Sequence, residues 1–459
     1  MRATIEYERK LDAPVGFTLP ELGGSPLEPR LFTSVYYDTP SGSLAASGIT
    51  LRRRTEHGRA LWQLKLPSDD ARLELELEGG PARIPDKFLD LLFAHLRHGG
   101  LEKVAELRTR RRGELVARNG ATAEVTVDEV AVMDARRVSD RFVEVEIELR
   151  TGEPGHVDVL ASELSSAGAE PGSGVSKLAR ALGREPYEGR GETPFEKLRV
   201  RLRAQLRQIE RHDPGTRLGQ ESESLHDMRV AVRRLRALLR TGRPLVLTDS
   251  QELDARLREL GAALGEVRDL DVFLHRLRVE SAEIGEPDAA HAKSLLAVLS
   301  RERTNARRQL LTFLRSDAYL TLLDDTAAAI GSLEPTYAGP SLDDLTAHAA
   351  RKLRKAVRAF PAEPSDIELH AVRKKVKRTR YAAELAGRGK IVRRAKALQD
   401  VLGEHQDAVV ASHRLRELAT NAPGERAIAA GRLIEREAKH RAAARAQWPK
   451  AWKKLRKAL

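Results

Sequence analysis

The feature that most constrains the fold of this 459-residue chain is a change of hydrophobic periodicity near residue 190. Before that point apolar and polar residues alternate with a period of two, as at residues 73–78, 123–128 and 143–149. Such alternation is typical of strands with one buried face. Beyond it, long stretches rich in Leu, Ala, Arg and Glu repeat with a period near 3.6, which is typical of helices. The sequence therefore predicts a strand-rich first half and an all-helical second half.

Glycine, proline and charged residues mark the boundary between the two halves. The run GREPYEGRG at residues 183–191 has no apolar period, which indicates a linker. We expect one domain at residues 1–183, a linker at 184–193 and a second domain at 194–459. Similar breaks occur at 285–287, 331–340, 361–364 and 423–424, and they divide the second domain into separate helices. In the first domain, short helices are predicted near residues 86–96, 157–167 and 176–182.

Composition limits the class of protein and the chemistry of any metal site. The chain has 41% hydrophobic residues, enough for two or three globular cores. No stretch approaches the ~18 to 20 apolar residues that a membrane helix needs, and the first residues are polar, so we expect a cytoplasmic protein without membrane contact. There is no cysteine, so a metal ion would have to be bound by oxygen or imidazole ligands.

Charge is distributed unevenly along the chain. Residues 1–190 carry 27 Lys and Arg against 31 Asp and Glu, whereas the rest of the chain carries 53 against 36. The first part is therefore slightly acidic and the second strongly basic. Because a surface of one sign concentrates ligands of the other sign, this asymmetry points to a polyanionic partner for the second part.

The basic half contains an internal repeat. Residues 225–236 (LHDMRVAVRRLR) match residues 369–380 (LHAVRKKVKRTR), and residues 260–269 (LGAALGEVRD) match residues 398–407 (LQDVLGEHQD). Two blocks repeated in the same order indicate a duplicated helical unit. We therefore predict two pseudo-symmetric helical bundles, with repeat units at about residues 194–332 and 341–459.

The first repeated block places a histidine and three cations along one face of each helix, at spacings of three, four and three residues. These candidate polyphosphate-binding residues are His226, Arg229, Arg233 and Arg236 in the first copy and His370, Arg373, Lys377 and Arg380 in the second. A solvated basic face is the plain alternative, but recurrence of the whole pattern favours binding to phosphate. With 4% aromatic residues there is little for base stacking, so nucleic acid is the less favoured polyanion.

A second charged pattern stands near the start of the chain. In a strand, Glu6, Glu8 and Lys10 point to one face, with successive side chains roughly 6.5 Å apart. Two carboxylates followed by an ammonium group could hold a divalent cation beside an anion. The alternative is an ordinary solvated strand face.

Further residues connect this pattern to a known family. The first half resembles the CYTH family, also called triphosphate tunnel metalloenzymes, whose Glu-x-Glu-x-Lys signature stands here at residues 6–10. Other matching pieces occur in family order at residues 36–39, 51–54, 62–66, 109–110, 127–128, 144–148 and 176–177. The second half resembles the CHAD domain, a helical module of conserved histidines that binds inorganic polyphosphate. The two resemblances cover nearly the whole chain.

These resemblances imply an α+β protein, with a closed antiparallel β-barrel of about eight strands and flanking helices, followed by the two bundles. Charged inward residues would leave a hydrated tunnel. The cations implied to grip phosphate oxygens in catalysis are Lys10, Arg52, Arg54, Lys65, Arg110 and Lys177. The residues implied to hold Mg²⁺ or Mn²⁺ are Glu6, Glu8, Glu146 and Glu148, supported by Asp128. The register is ambiguous for the Glu row at 144–148 and for the arginines at 108–112.

The implied activity is metal-dependent hydrolysis of inorganic triphosphate to diphosphate and phosphate, with inorganic polyphosphate bound by the helical half. ATP and thiamine triphosphate are other substrates in the family. We expect Trp62 to be buried on the outward side of its strand, where it would not contact a nucleobase. Glu8 or Glu148 would orient the attacking water. The alternative is a catalytically silent protein that binds polyphosphate or targets polyphosphate granules.

Overall fold

The computed structural model describes residues 1–68, 71–79, 82–172, 177–183, 191–220, 222–248, 250–420 and 424–459. Contacts divide the chain into two compact units: Met1–Tyr187 with Glu210–Ser224, and Glu188–Ile209 with Leu225–Leu459. The first contains an antiparallel sheet and the second consists of helices, which confirms the predicted α+β class. The linker predicted at 184–193 lies largely outside the described residues.

The first unit is built on one antiparallel sheet. Its strands are β1 (Arg2–Glu6), β2 (Glu8–Ala13), β3 (Ser25–Pro26), β4 (Arg30–Asp38), β5 (Thr50–Glu56), β6 (Arg59–Ser68), β7 (Ala71–Glu78), β8 (Glu102–Arg118), β9 (Ala121–Asp134), β10 (Arg137–Thr151) and β11 (Glu170–Pro171). Their spatial order is β1-β7-β6-β5-β4-β8-β9-β10-β2-β11, and β3 pairs with β8. The three segments with predicted strand alternation lie in β7, β9 and β10.

The polypeptide chain itself, and not a continuous hydrogen-bond ladder, joins the two sides of the sheet. Strand β1 pairs with β7, and β2 pairs with β10, with Tyr7 between β1 and β2. The backbone N–H of Leu149 donates to the Tyr7 carbonyl at 2.9 Å. Thus one strand uses one edge before Tyr7 and its other edge after it. Among the described strand pairs the predicted barrel is therefore not closed by hydrogen bonds, because β1 pairs with β7 only, whereas β2 lies between β10 and the short strand β11.

The apolar residues of these strands face away from the enclosed space. In β9 and β10, Val125, Val127, Val145 and Ile147 are buried in one cluster with residues of a covering helix. The helices described within residues 1–183 are α1 (Ser43–Ala46), α2 (Asp86–Leu91), α3 (Phe93–Leu96), α4 (Gly155–Ser166) and α5 (Lys177–Ala181). Helix α4 supplies Val157 and other apolar residues of that cluster. Since apolar side chains pack outside, the alternate polar side chains are directed inside.

The rest of the chain is helical and shows the predicted duplication. Its helices are α6 (Pro194–Leu218), α7 (Ser222–Gly242), α8 (Gln251–Ala282), α9 (Asp288–Leu314), α10 (Asp317–Gly331), α11 (Leu342–Arg358), α12 (Asp366–Leu385), α13 (Gly389–Thr420) and α14 (Gly424–Arg456). The first copies of the repeated blocks lie in α7 and α8, and the second copies in α12 and α13. Helix α10 is the extra helix between the two sets.

Local signals explain where several of these helices begin and end. Ser341 and Ser365 form capping boxes with Asp344 and Glu368, which start α11 and α12. The predicted breaks at 285–287, 331–340 and 361–364 fall at or between helix ends, whereas Pro423 lies outside the described residues. Within the described part, none of the helices combines the length and the apolar character needed to cross a membrane.

Candidate functional sites

The inward face of the sheet lines a cavity of about 1230 Å³. Among the residues that the structure describes, eleven lysines and arginines and nine glutamates line it, so these charges nearly balance before any ligand enters. Among the site residues predicted from sequence, those that line this cavity are Glu6, Glu8, Lys10, Arg52, Arg54, Lys65, Glu146, Glu148 and Lys177. The alternation of the strands thus brings residues distant in sequence into one space, while Asp128 and Arg110 do not line it.

The structure does not support the predicted role of Arg110, because the residue of β8 that faces the cavity is its neighbour, Arg111. Arg110 is exposed, whereas Arg111 lines the cavity. In the ladder, Arg111 stands opposite Asp128 and Arg110 stands opposite Glu129. Alternation alone could not decide between neighbouring arginines. Pairing of β8 with the inward Asp128 was the signal that could have identified Arg111.

Asp128 lies beneath the cavity lining and is fully buried. Its two carboxylate oxygens accept hydrogen bonds from Arg111 Nε at 2.7 Å and Nη2 at 2.6 Å, and Lys177 Nζ lies 2.8 Å from Oδ2. Burial would raise the pKa of Asp128, but Lys177 and Arg111 lower it. This carboxylate therefore orients two cations, and it is less suited to the metal-supporting role that the sequence predicted.

The register of the Glu row in β10 is settled by its apolar neighbours. Val145 and Ile147 are fully buried in the outer cluster, so a one-residue slip is excluded. Glu146 and Glu148 line the cavity. Glu144 is buried below them, with Lys177 Nζ at 2.8 Å from its carboxylate.

Glu146 is the centre of a group of cations. Lys10 Nζ and Lys177 Nζ each lie 2.7 Å from its Oε1, and Arg111 donates to Oε2. Burial alone would raise the pKa of Glu146, yet Lys10, Lys177 and Arg111 hold it well below its ordinary value. Burial would lower the pKa of Lys10, but Glu146 and other carboxylates raise it. Because these cations already have a counterion, an entering anion must compete with Glu146 for them.

Another part of the cavity has carboxylates that are paired with fewer cations than Glu146 is. Burial and a hydrogen bond with Glu74 raise the pKa of Glu6 to about 7, despite Lys65 at 2.6 Å. Burial raises the pKa of Glu148 to about 7 as well; Arg150 at 2.6 Å opposes this shift and the Glu6 charge adds to it. Buried carboxylates with raised pKa values are stabilised by an added cation. Their hard oxygen atoms fit a divalent metal ion of the Mg²⁺ or Mn²⁺ type.

Arg52 and Arg54 present guanidinium groups on the same face of β5. Arg52 Nε donates to Gln63 at 2.8 Å, and its Nη1 donates to the Tyr36 hydroxyl at 3.3 Å. Arg54 lies 3.6 Å above the centre of the Phe32 ring. Burial and the nearby Arg52 lower the pKa of Arg54 to about 10. A guanidinium held beside another cation in a buried site gains stability from an anion between them.

In the helical unit, cations from both repeats influence one another. Burial comes first in lowering the pKa of Lys377 to about 7, and Arg373, Arg233 and Arg229 add to it. Burial also lowers the pKa of Arg373, with Arg233 and Arg229 contributing. We call these four residues, Arg229, Arg233, Arg373 and Lys377, the basic cluster. Thus α7 and α12 form one cationic site rather than two separate stripes.

The other predicted residues of the stripes lie in different surroundings. Arg236 Nε is paired with Asp254 Oδ1 at 3.0 Å. Arg380 is 6% exposed, with Glu384 at 3.4 Å. His370 is one turn before Arg373, and its pKa is lowered by burial and by nearby cations despite a hydrogen bond with Gln406. His226 holds the corresponding place on α7. Both units therefore present clustered, partly buried cations, a chemistry that suits ligands with several phosphate groups.

Comparisons with known proteins agree with this architecture. A family model described as the CYTH domain matches residues 4–182, and one described as the CHAD domain matches residues 200–416. The uncharacterized protein Rv2226 of Mycobacterium tuberculosis is 32% identical over 507 aligned positions, which cover 99% of this chain and 97% of that protein. Among solved structures, PptA from Streptomyces chartreusis is 26% identical with a TM-score of 0.51, covering 57% of this chain and 100% of that chain. The CHAD domain from the plant Ricinus communis is 25% identical with a TM-score of 0.48, covering 57% of this chain and 91% of that chain.

This chain belongs to the family in which a CYTH domain is followed by a CHAD domain, as its motifs predicted. The first domain is thus of the triphosphate tunnel metalloenzyme class, whose members depend on divalent metal ions. The second is a CHAD domain, and membership of this class suggests polyphosphate binding.

Proposed function

We propose that the tunnel hydrolyses inorganic triphosphate to diphosphate and phosphate with Mg²⁺ or Mn²⁺, and that the helical domain binds inorganic polyphosphate. The observation that carries the proposal is the division of charge within the cavity. Lys10, Lys177 and Arg111 all engage Glu146. Among the described residues, Glu6 and Glu148 are each paired with one cation, Lys65 and Arg150 respectively. One cavity thus offers places for both a phosphate chain and a metal ion.

The metal ion would be held by Glu6 and Glu8, with Glu148 facing them. Glu8 stands opposite Glu148 in the β2–β10 ladder, and the Glu6 charge acts on Glu148. Glu146 was also predicted as a ligand, but three cations already engage it. When bound, the metal ion would neutralise phosphate oxygens and lower the pKa of a water molecule.

The phosphate chain would be gripped by the inward cations. Arg111 takes the role first assigned to Arg110; the other members of this set are Lys10, Arg52, Arg54, Lys65 and Lys177. Hydrolysis of a phosphoanhydride is chiefly positioning and charge stabilisation, so no protein nucleophile is needed. Glu148, with a pKa of about 7, fits a general base better than Glu8, whose pKa is lowered by Lys10 and other cations against the effect of burial.

The lining favours an inorganic substrate over a nucleotide. Trp62 is 1% exposed and packs in an outer apolar cluster, as expected from its strand position. Among the described lining residues Tyr36 is the one Phe, Tyr or Trp side chain, and it is only 2% exposed. A site without a free aromatic face offers little stacking to a base.

The deciding experiment is phosphate release by the purified chain from triphosphate, long-chain polyphosphate, ATP and thiamine triphosphate. Each substrate is tested with Mg²⁺, with Mn²⁺ and with a chelator. We expect metal-dependent release confined to triphosphate. Release from none of them, by protein that still binds polyphosphate, would leave a silent tunnel joined to a polyphosphate-binding domain, and recruitment to granules would then be its proposed role.

Polyphosphate binding should depend on pH through Lys377. In the free protein its pKa is about 7, and a bound polyanion favours the charged ammonium form. Above pH 7 binding must therefore take up a proton, so affinity should fall by up to about tenfold per pH unit as pH rises, and should be flat below pH 7. Calorimetric titrations from pH 6 to 9 measure this.

The matched control for this experiment is Lys377→Arg, because arginine keeps its charge across the whole range. We expect this variant to bind with little change above pH 7. A wild-type protein whose affinity is equally flat between pH 7 and 9 would contradict the role of Lys377.

A further inference from the structure

The binding pattern predicted from the first repeated block gives no role to the second block, residues 260–269 and 398–407. It places Gly265 on α8 and Gly403 on α13 at equivalent positions. A Cβ atom on Gly265 would lie 3.5 Å from Arg229 Nε and 3.6 Å from its Nη2. One on Gly403 would lie 3.3 Å from Arg373 Nη2. In both copies, therefore, the guanidinium group of a basic-cluster arginine lies directly over a helical glycine.

The same block supplies an acid one turn further along each helix. Asp269 Oδ1 is 3.0 Å from Arg229 Nη2. In the second copy, Asp407 is the foremost carboxylate acting on Arg373. Residues four apart share a helix face, so each arginine lies along a surface made of a glycine and an aspartate. The arrangement occurs twice in one chain.

Another glycine of the block shows that this is not a general need for small residues. Gly261 stands one turn before Gly265, and the equivalent residue in the second copy is Gln399. A Cβ on Gly261 would meet Val232 at 3.5 Å and Arg236 at 3.9 Å, and neither residue belongs to the basic cluster. The block thus accepts a long side chain at one of its glycine positions. Glycine recurs only where a cluster arginine lies above it.

A glycine inside a helix destabilises it relative to most other residues, so its recurrence needs a compensating reason. Among the described residues, the buried Nε atoms of Arg233 and Arg373 have no hydrogen-bond partner. Burying part of a guanidinium group without a hydrogen-bond acceptor is unfavourable, unless a ligand accepts hydrogen bonds from that group. Both the lower stability of a helix that contains glycine and the missing hydrogen bonds of the arginines indicate that this site binds a ligand.

We propose that Gly265 and Gly403 are positioning residues of the polyphosphate site. Without side chains, they let Arg229 and Arg373 lie flat against the facing helices, which brings cations of both repeats to one linear polyanion. This inference rests on the proposed binding of polyphosphate by the helical domain. It assigns to the second repeated block the task of orienting the cations of the first.

The test replaces both glycines by glutamine, the residue found at position 399, in the full chain. For Gly265→Gln with Gly403→Gln we expect the Kd for polyphosphate of defined length to rise about tenfold or more. The plot of log Kd against log salt should also lose about 1 to 2 units of slope, because displaced arginines release fewer counterions. Both glycines are buried, so a long side chain has to be accommodated there, and thermal unfolding of the same samples shows that the variant is folded.

The matched control is Gly261→Gln on the same helix, which should keep wild-type affinity and salt slope. A milder variant, Gly403→Ala, tests the position if the double variant folds poorly, and we expect a two- to threefold rise in Kd. Unchanged Kd and slope in the folded variants would overturn the positioning role while leaving polyphosphate binding intact. Absence of polyphosphate binding by the wild-type chain would instead overturn the proposed function, and this inference with it.

Discussion

Replacing Glu6 and Glu8 together by glutamine should lower triphosphate hydrolysis by about 10³-fold or more. Glutamine keeps the size of the side chain but removes both charges that would hold the metal ion. The substitution also leaves Lys65 without its partner at 2.6 Å and Arg72 without its partner at 3.4 Å. Initial rates over a range of Mn²⁺ concentrations measure the effect, and calorimetry with Mn²⁺ alone measures the loss of metal binding.

The matched control is Glu129→Gln. Glu129 stands on the outer side of β9, where it pairs with Arg112 rather than with a tunnel residue. This variant should retain wild-type rates. Polyphosphate affinity should be unchanged in the Glu6 and Glu8 variant, since its binding is assigned to the helical domain. Equal loss of hydrolysis and of polyphosphate binding would contradict the assignment to two separate sites.

Charge reversal at Arg229 and Arg373 should raise the Kd for polyphosphate by about a hundredfold or more at low salt, because two attractive contacts become repulsive. These arginines lie in the basic cluster, where Arg233 and Lys377 are their neighbours. Triphosphate hydrolysis in the tunnel should continue at the wild-type rate. Titrations at several salt concentrations should show a shallower salt dependence than the wild-type chain.

The control is the pair Arg358→Glu and Arg378→Glu, which changes the net charge by the same amount at exposed positions. It should weaken binding only slightly. If this pair were as damaging as reversal at Arg229 and Arg373, the overall charge of the domain and not the basic cluster would determine affinity. Loss of His226 and His370, tested as a double alanine variant, should weaken binding to a smaller degree.

The parts of the fold that could be predicted are those in which pattern and packing agree. The Glu row of β10 alternates with Val145 and Ile147, and burial of those apolar residues leaves a single register. The helix duplication was visible because two blocks recur in the same order. Their apolar residues, such as Val232 and Val376, are fully buried as the helical period requires.

The parts that could not be predicted depend on pairing between distant elements. Arg110 and Arg111 are neighbours of the same type, and only the ladder with Asp128 places Arg111 inside. Engagement of Glu146 by three cations depends on strands and a helix that meet only in the folded chain. The role of Gly403 depends in the same way on Arg373, which lies on another helix.

The division of one strand at Tyr7 has a consequence for folding during synthesis. Lys10 and Glu146 face each other across the closing ladder, yet they are 136 positions apart. The strand that contains Glu6, Glu8 and Lys10 is therefore made long before its second partner, and the emerging sheet keeps an open edge until β10 follows. Open edges invite pairing with other chains, and charged residues on an edge strand discourage it. We therefore expect the carboxylates assigned to the metal ion to have a second effect, which is to discourage aggregation of the nascent chain.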